Sequence, residues 1–336
     1  MKIKYYNYLL ALSLCFSMII PSSTNISGQV EYFYMLRLEN AKLINIPFRL
    51  LDFDIQHQVS DNFNVFGNIG IEYRNRRDTD FMTDSNLEDF LIDIRELYMS
   101  MYIGDGEVRI GKQIHSWGSV DENSPIDNLN AYDYYYLLLG GAEKKLGAYS
   151  MAYDNYIPFL DNCKFSLVYS PMHNTSRIPI NDPDYPIGLP EGVSPSSETT
   201  VLNDVTLGEY GLNFKWSFDF GDISLSHLGM YDRIFNLTGV NVYTNSSEIL
   251  FEAVPFYSYR LTKALSFGGV FLFDDFTLRV DFARFNSEDK NTADDLNVPH
   301  PDPDKAALYS EFALDPIVLQ EKAKYQQTAI QLEPFL

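Results

Sequence analysis

The stretch HSWGSVD, from His115 to Asp121, places an imidazole, a hydroxyl and a carboxylate close together in sequence. These are the residue types of nucleophilic hydrolysis, in which the hydroxyl attacks, the imidazole takes its proton and the carboxylate orients the ring. The spacing of His115, Ser119 and Asp121 matches no known arrangement, and the chain has neither a G-x-S-x-G elbow nor a phosphate-binding glycine loop. The histidines at 57, 115, 173, 227 and 300 have no ligand spacing, so a zinc site is not expected. Asp121, Glu122, Asp127 and Asp133 crowd one stretch. Carboxylates suit calcium, but EF-hand spacing is absent, and hydrogen bonds that fix a loop are the simpler use. The expectation is therefore no catalytic residue, no metal and no cofactor: not an enzyme.

A second group of charges lies on alternating segments. Arg95 and Glu96 sit in one, and Glu107 and Arg109 in the next, joined by the turn Gly104-Asp105-Gly106. The turn makes the two segments antiparallel neighbours. Glu96, Glu107 and Arg109 then share a polar face, where Glu96 can pair Arg109. Such a network stiffens a wall, or orients solutes at a constriction.

The elements that must position these groups follow a period of two. In EYGLNFKWSF, Tyr210, Leu212, Phe214, Trp216 and Phe218 oppose Glu209, Gly211, Asn213, Lys215 and Ser217. FTLRVDF repeats the pattern, with Phe276, Leu278, Val280 and Phe282 against Thr277, Arg279 and Asp281. About twelve strands are expected by this alternation, starting near 29, 47, 63, 92, 106, 144, 163, 207, 222, 263, 276 and 323. The links alternate between tight turns and long polar stretches, as in an up-and-down barrel whose turns share one rim. Several strands reach about ten residues, the length a tilted strand needs to cross a bilayer. Tyr73, Tyr102, Tyr210, Phe218 and Phe285 stand near strand ends, where aromatic girdles form. The polar face carries both signs: Asp52, Asp54, Glu72, Glu209 and Asp281 against Arg74, Lys164, Lys215 and Arg279. The fold class expected is all-β, a transmembrane antiparallel up-and-down β-barrel of about twelve strands. Glu248 to Arg260 is ambiguous because Pro255 interrupts it: a strand extension outside the membrane, or a loop. The ending Pro334-Phe335-Leu336 lacks a terminal aromatic, so the twelve strands are also compatible with part of a larger barrel.

Lys2, Lys4 and the apolar run Tyr8 to Ile20 read as a secretory leader, residues 1–28. After its removal one of the two cysteines remains, Cys163, so no intramolecular disulfide is expected. Residues 29–336 are then the barrel. The formal net charge of −21 excludes a nucleic-acid partner, which needs a basic face.

One link departs from the rest. The segment GEVRIGKQIH alternates; then SWG ends the strand, and SVDENSPIDNLNAYDYYYLLL is first polar and then rich in tyrosine and leucine. An exposed loop has little reason to carry Tyr132, Tyr134, Tyr135, Tyr136 and three leucines; a segment folded against the inner wall does. Residues 117–143 are accordingly read as an inward-folded constriction loop. The stretch 95–133 also resembles a motif. Arg95, Glu96, Tyr98, Arg109, Gly111, Lys112, Gln113, Trp117, Gly118, Asp127, Asn130 and Asp133 match the core pattern of a porin-like bacterial outer-membrane family related to alginate-export and phosphate-selective porins. Ala131 stands where that family usually has proline. The resemblance implies a barrel whose inward loop narrows the lumen, without implying a substrate; the basic lining that alginate needs is not found.

The residues expected at the pore or constriction are Glu96, Glu107, Arg109, Gln113, His115, Trp117, Asp121, Glu122, Asp127, Asp133 and Tyr134. The function expected is a porin or channel of the cell outer membrane for small hydrophilic solutes. A non-conducting barrel used for surface binding or adhesion is the second reading. Expected partners are outer-membrane lipid and lipopolysaccharide, the solutes, the barrel-assembly machinery and periplasmic chaperones, with a homotrimer as the expected oligomer.

Overall fold

The computed structural model describes residues 23–44, 46–74, 90–121, 123–138, 144–157, 160, 162–179, 201–202, 208–244, 251–309, 311–312, 316–319 and 322–335. The bulk of the leader read as 1–28, the candidate Glu122 and residues 139–143 of the insert lie outside them. The strands in chain order are β1 (Ser23–Val30), β2 (Pro47–Ser60), β3 (Phe63–Arg74), β4 (Phe90–Ile103), β5 (Gly106–Gln113), β6 (Ala148–Tyr156), β7 (Cys163–Ser170), β8 (Val201–Leu202) and β9 (Glu209–Phe218). They continue with β10 (Gly221–Tyr231), β11 (Asn236–Thr244), β12 (Phe251–Ser258), β13 (Leu261–Leu272), β14 (Phe276–Glu288), β15 (Glu311–Phe312), β16 (Ile317–Val318) and β17 (Lys322–Pro334). Twelve of them form one sheet in the order β1-β2-β3-β4-β5-β6-β7-β9-β10-β13-β14-β17. Neighbours in that order pair antiparallel, the arrangement of an up-and-down meander.

The strand starts agree closely with the alternation. β1 begins six residues earlier than expected, at Ser23, and so includes the last residues of the segment read as leader. β6 begins at Ala148 rather than near 144, because Lys145 and Leu146 are bonded to the insert. The tight turns fall at Asp61-Asn62, Gly104-Asp105, Asp219-Phe220 and between β13 and β14. Gly104 has φ +60°, a conformation that glycine adopts without strain. The long links lie between β1 and β2, β3 and β4, β5 and β6, β7 and β9, β10 and β13, and β14 and β17.

The apolar alternation points outward. Leu97, Met99, Met101 and Ile103 on β4 are exposed, as are Phe214 and Trp216 on β9, Leu225 on β10, Phe267 on β13 and Ile330 and Leu332 on β17. An apolar face of this extent is satisfied by lipid rather than by water. Among the described residues no helix is long and apolar enough to cross a membrane; the crossing elements are the strands. The fold class is that of a transmembrane antiparallel up-and-down β-barrel.

The chain divides into two compact units. The first comprises β1–β5 with Met151–Tyr153 of β6. In it, Arg49 is buried on the polar face and donates to Asn68 at 2.9 Å, with Asp52 at 3.4 Å and Asp93 at 3.8 Å. β4 contains a bulge at Arg95: Asn68 pairs with Glu96 and Ile69 with Ile94. The extra residue lets Arg95 and Glu96 both turn inward, which a regular strand forbids. Ser100 donates to Glu107 and lies opposite Arg109, and Arg109 bonds Tyr98. Gln113 is fully buried. Tyr73, expected in a girdle, is buried, covered by the rings of Phe48 and Phe90 at 5.7 and 4.9 Å.

The second unit comprises Ile114–Ser150 and Asp154–Leu336. Phe285 is not a lipid-facing girdle residue: it has the parity of Asp281 and stacks on Tyr325 at 4.8 Å. The ambiguous segment resolves as β12, which pairs with β11 outside the twelve-stranded sheet. Together with β8, β15 and β16 these strands form a second, small sheet. Two short helices, α1 (Ala293–Leu296) and α2 (Pro303–Ala306), lie in the link between β14 and β17, and Leu296 packs with Tyr243, Val254 and Phe256 into a core.

Candidate functional site: the insert on the polar face

All contacts in this section lie within the second unit. The insert leaves the wall after β5 through a closed neck. The backbone N–H of His115 donates to Asn130 Oδ1 at 2.7 Å, Asn130 Nδ2 donates to the carbonyl of Leu146 at 2.8 Å, and the N–H of Leu146 donates to the carbonyl of Ala131 at 2.8 Å. The His115 ring is buried and bonded to Ser150 Oγ at 2.9 Å. His115, Ser119 and Asp121 are thus drawn to separate partners.

Beyond the neck the insert buries Val120, Ile126, Leu129, Ala131 and Tyr136. Of the tyrosines that looked out of place in a loop, Tyr136 is buried and Tyr132, Tyr134 and Tyr135 are half-buried. The insert is laid over small side chains of the wall. Trp117 and Leu129 cover Gly211 of β9 so closely that a Cβ there would meet them at 2.6 and 2.9 Å. Ser119 and Asp281 crowd Gly268 of β13 in the same way. Gly211→Val is expected to displace the Trp117 ring. The chain has two tryptophans, so in a Trp216→Phe background the emission reports Trp117 alone, and it should shift to the red. Unchanged emission would contradict this packing.

Three clasps hold the insert. The first is Asp281 of β14, which is 0% exposed. One carboxylate oxygen accepts from the backbone N–H groups of Ser119 and Val120, at 2.8 and 3.1 Å, and from Ser124 Oγ at 2.6 Å. Successive backbone donors of this kind make a ready site for an anion. Nearby, Arg279 donates to the carbonyl of Ser119 at 3.1 Å and pairs Glu333 at 3.1 Å, while Gln331 of β17 exchanges two hydrogen bonds with Asp121.

The second clasp is Arg233, just after β10. It donates to both carboxylate oxygens of Glu209, at 2.9 and 2.8 Å, and to the carbonyls of Asn128, Leu129 and Asn174. Glu209 also accepts from the N–H of Tyr231 at 3.0 Å and lies 2.9 Å from His173 Nδ1. The third is a double ion pair at the far end of the insert. Lys145 pairs Asp127 and reaches the His115 carbonyl and Ser116 Oγ; Arg177 pairs Asp133 at 2.9 Å and lies over the Tyr135 ring.

A half-open cavity of about 960 Å³ separates the insert from β14 and β17. Tyr132 and Tyr134 line it, their rings 6.5 Å apart. Burial pushes both hydroxyls above the ordinary tyrosine range, and for Tyr132 the neighbouring Asp127 and Tyr134 add to the effect, so both phenols are neutral.

Of the expected residues, His115, Trp117, Asp121, Asp127, Asp133 and Tyr134 come together in this insert, whereas Glu96, Glu107, Arg109 and Gln113 belong to β4 and β5 of the first unit. Among the described residues no group of three or more His, Cys, Asp or Glu could hold a metal ion. The clasp residues Arg233, Lys145, Arg177 and Gln331 were not singled out by the sequence; Asp281 and Glu209 were placed only on the polar face.

No protein-family model matches the sequence, and no curated protein matches it. Solved structures do. The chain is similar to a loop L8 deletion mutant of OmpT, an outer-membrane protein of Vibrio cholerae, with 13% identity and a TM-score of 0.41 over 80% of this chain and 71% of that one. It is similar to in-vitro folded OmpT of Vibrio cholerae at 11% identity and a TM-score of 0.40, over 80% of this chain and 64% of that one. It is also similar to OmpF of Salmonella typhi in complex with daunomycin, at 10% identity and a TM-score of 0.29, over 93% and 95% of the two chains.

Proposed function

We propose that the chain is an outer-membrane channel of the porin type, and that the insert after β5 sets the width and polarity of its path. The observation that carries the reading is the clasp at Asp281: a buried carboxylate on the polar face of a membrane strand is devoted to holding a loop of a distant link against that face. The mechanism is filtering by size and charge at a constriction, with no catalytic step. The kinship with alginate-export and phosphate-selective porins implied by residues 95–133, the leader, the lipid and lipopolysaccharide surroundings, the assembly machinery and the trimer belong to the same proposal.

Conductance in planar bilayers tests it. The full-length chain should show discrete current steps, and deletion of Ser119 to Tyr134 should enlarge them and weaken ion selectivity. Equal steps from the two proteins would place the insert outside the conducting path, and no steps from the full-length chain would end the channel reading. The small sheet with its own Tyr243–Phe256 core favours a second reading, in which long links form a surface-binding module. A folded protein without conductance would point there.

A further inference from the structure

We propose that the cavity beneath the insert is a binding site for an uncharged sugar, a short neutral oligosaccharide. The inference rests on the channel reading and names the solute class of that same site. Its volume of about 960 Å³ lies within the ~300–1,000 Å³ of small-molecule sites.

Charge comes first. Among the described lining residues, three carboxylates (Asp121, Asp127 and Asp133) face three cations (Lys144, Lys145 and Arg279). They are committed to one another or to the wall. Lys145 holds Asp127, Arg177 holds Asp133, Arg279 holds Glu333, and Gln331 holds Asp121. Lys144 is engaged as well. An anionic solute would have to break one of these ion pairs to find a counter-charge, at the cost of leaving its partner unpaired, and the exposed carboxylate Asp121 is already set 4.0 Å from Arg279. An apolar solute fits no better, since it would cover lining hydroxyl, amide and backbone groups without bonding them.

A sugar meets both conditions. Its hydroxyls donate and accept, matching Ser116, Asn123, Asn128, Gln327 and Thr328 at the cavity wall. Its apolar ring face suits the two neutral phenol rings of Tyr132 and Tyr134, which open at 52° to each other. Aromatic side chains with one apolar face and one polar tip serve such mixed surfaces.

The test uses the full-length protein in planar bilayers and in micelles of a zwitterionic detergent without a sugar headgroup. Maltotriose and trigalacturonate, matched in length and differing in charge, are the probes. Maltotriose should interrupt the ion current and bind in micelles by calorimetry, with trigalacturonate weaker by about tenfold or more. Tyr134→Ala should weaken maltotriose binding by about three- to tenfold, and Tyr134→Phe should retain it. Current steps that maltotriose leaves untouched, with no heat of binding, would overturn the sugar site while the channel stands. Equal or tighter block by trigalacturonate would overturn it as well. Absent current steps with calorimetric binding retained would remove the channel and keep the site.

Discussion

Asp281→Ala is expected to widen the conducting path and to destabilise the folded chain by about 3–5 kcal/mol. The carboxylate is fully buried and one of its oxygens serves three donors. Truncation leaves the N–H groups of Ser119 and Val120 and the hydroxyl of Ser124 facing a cavity, and each unsatisfied buried donor costs roughly 1–3 kcal/mol. The loop escapes that cost by lifting from β14 until water reaches the donors, and lifting it opens the path. Asp281→Asn keeps an acceptor oxygen and removes the charge, so its effect should be smaller, since hydrogen bonds to an ionised acceptor are about twice as strong. Urea unfolding in micelles reads the stability, and current-step size in bilayers reads the loop. A large loss of stability with unchanged step size would separate the clasp from the pore and count against the constriction.

Alternation read along single segments identifies faces well. It placed Asp281, Glu209 and Arg279 on the polar side and Phe214, Trp216 and Leu278 on the lipid side. It fails where a strand departs from period two. At Arg95 the bulge adds a residue, so Arg95 and Glu96 share a face although they are neighbours. Alternation is also silent about height along the barrel. Ser119 and Asp281 are 162 residues apart, and only the register of the sheet brings them to the same level. Arg233, Lys145 and Arg177 stand in links without any period, so nothing local marks them as partners of the insert. A trace was nevertheless present: Gly211, Gly268, Ser226, Ser266 and Ala283 give the polar face of β9, β10, β13 and β14 a floor of small side chains. A wall open to water has no need of one, whereas a loop lying against it does.

The second sheet was hidden for a different reason. Pro255 removes a backbone donor and so reads as a break in a strand. Its residue in β12 faces Val240 of β11, and among the described residues β12 pairs on its other side with β8 through Tyr257 and Ser258. A proline is tolerated in a strand where its missing N–H points away from a paired neighbour.

Replacing Arg233 with methionine should cost about 3–5 kcal/mol, because it strands Glu209 at 2% exposure without its bidentate partner. The double variant Arg233→Met with Glu209→Gln should be less damaged than the sum of the two single variants, with a coupling of about 0.5–3 kcal/mol. Additive losses would mean that the pair does not act as a unit. The conductance of the double variant carries the functional content. Neutralising both charges removes the buried ion pair, yet it does not restore the donors to Asn128 and Leu129, whose carbonyls Arg233 bonds directly. Stability can therefore recover while the insert remains loose, and the current of the double variant should be noisier than that of the parent. A stable double variant with a quiet, parental current would show that Asp281 and the Lys145–Asp127 pair suffice to seat the loop. A noisy one would assign the arginine its role: it fixes where the insert lies, with a smaller share in how firmly the chain folds.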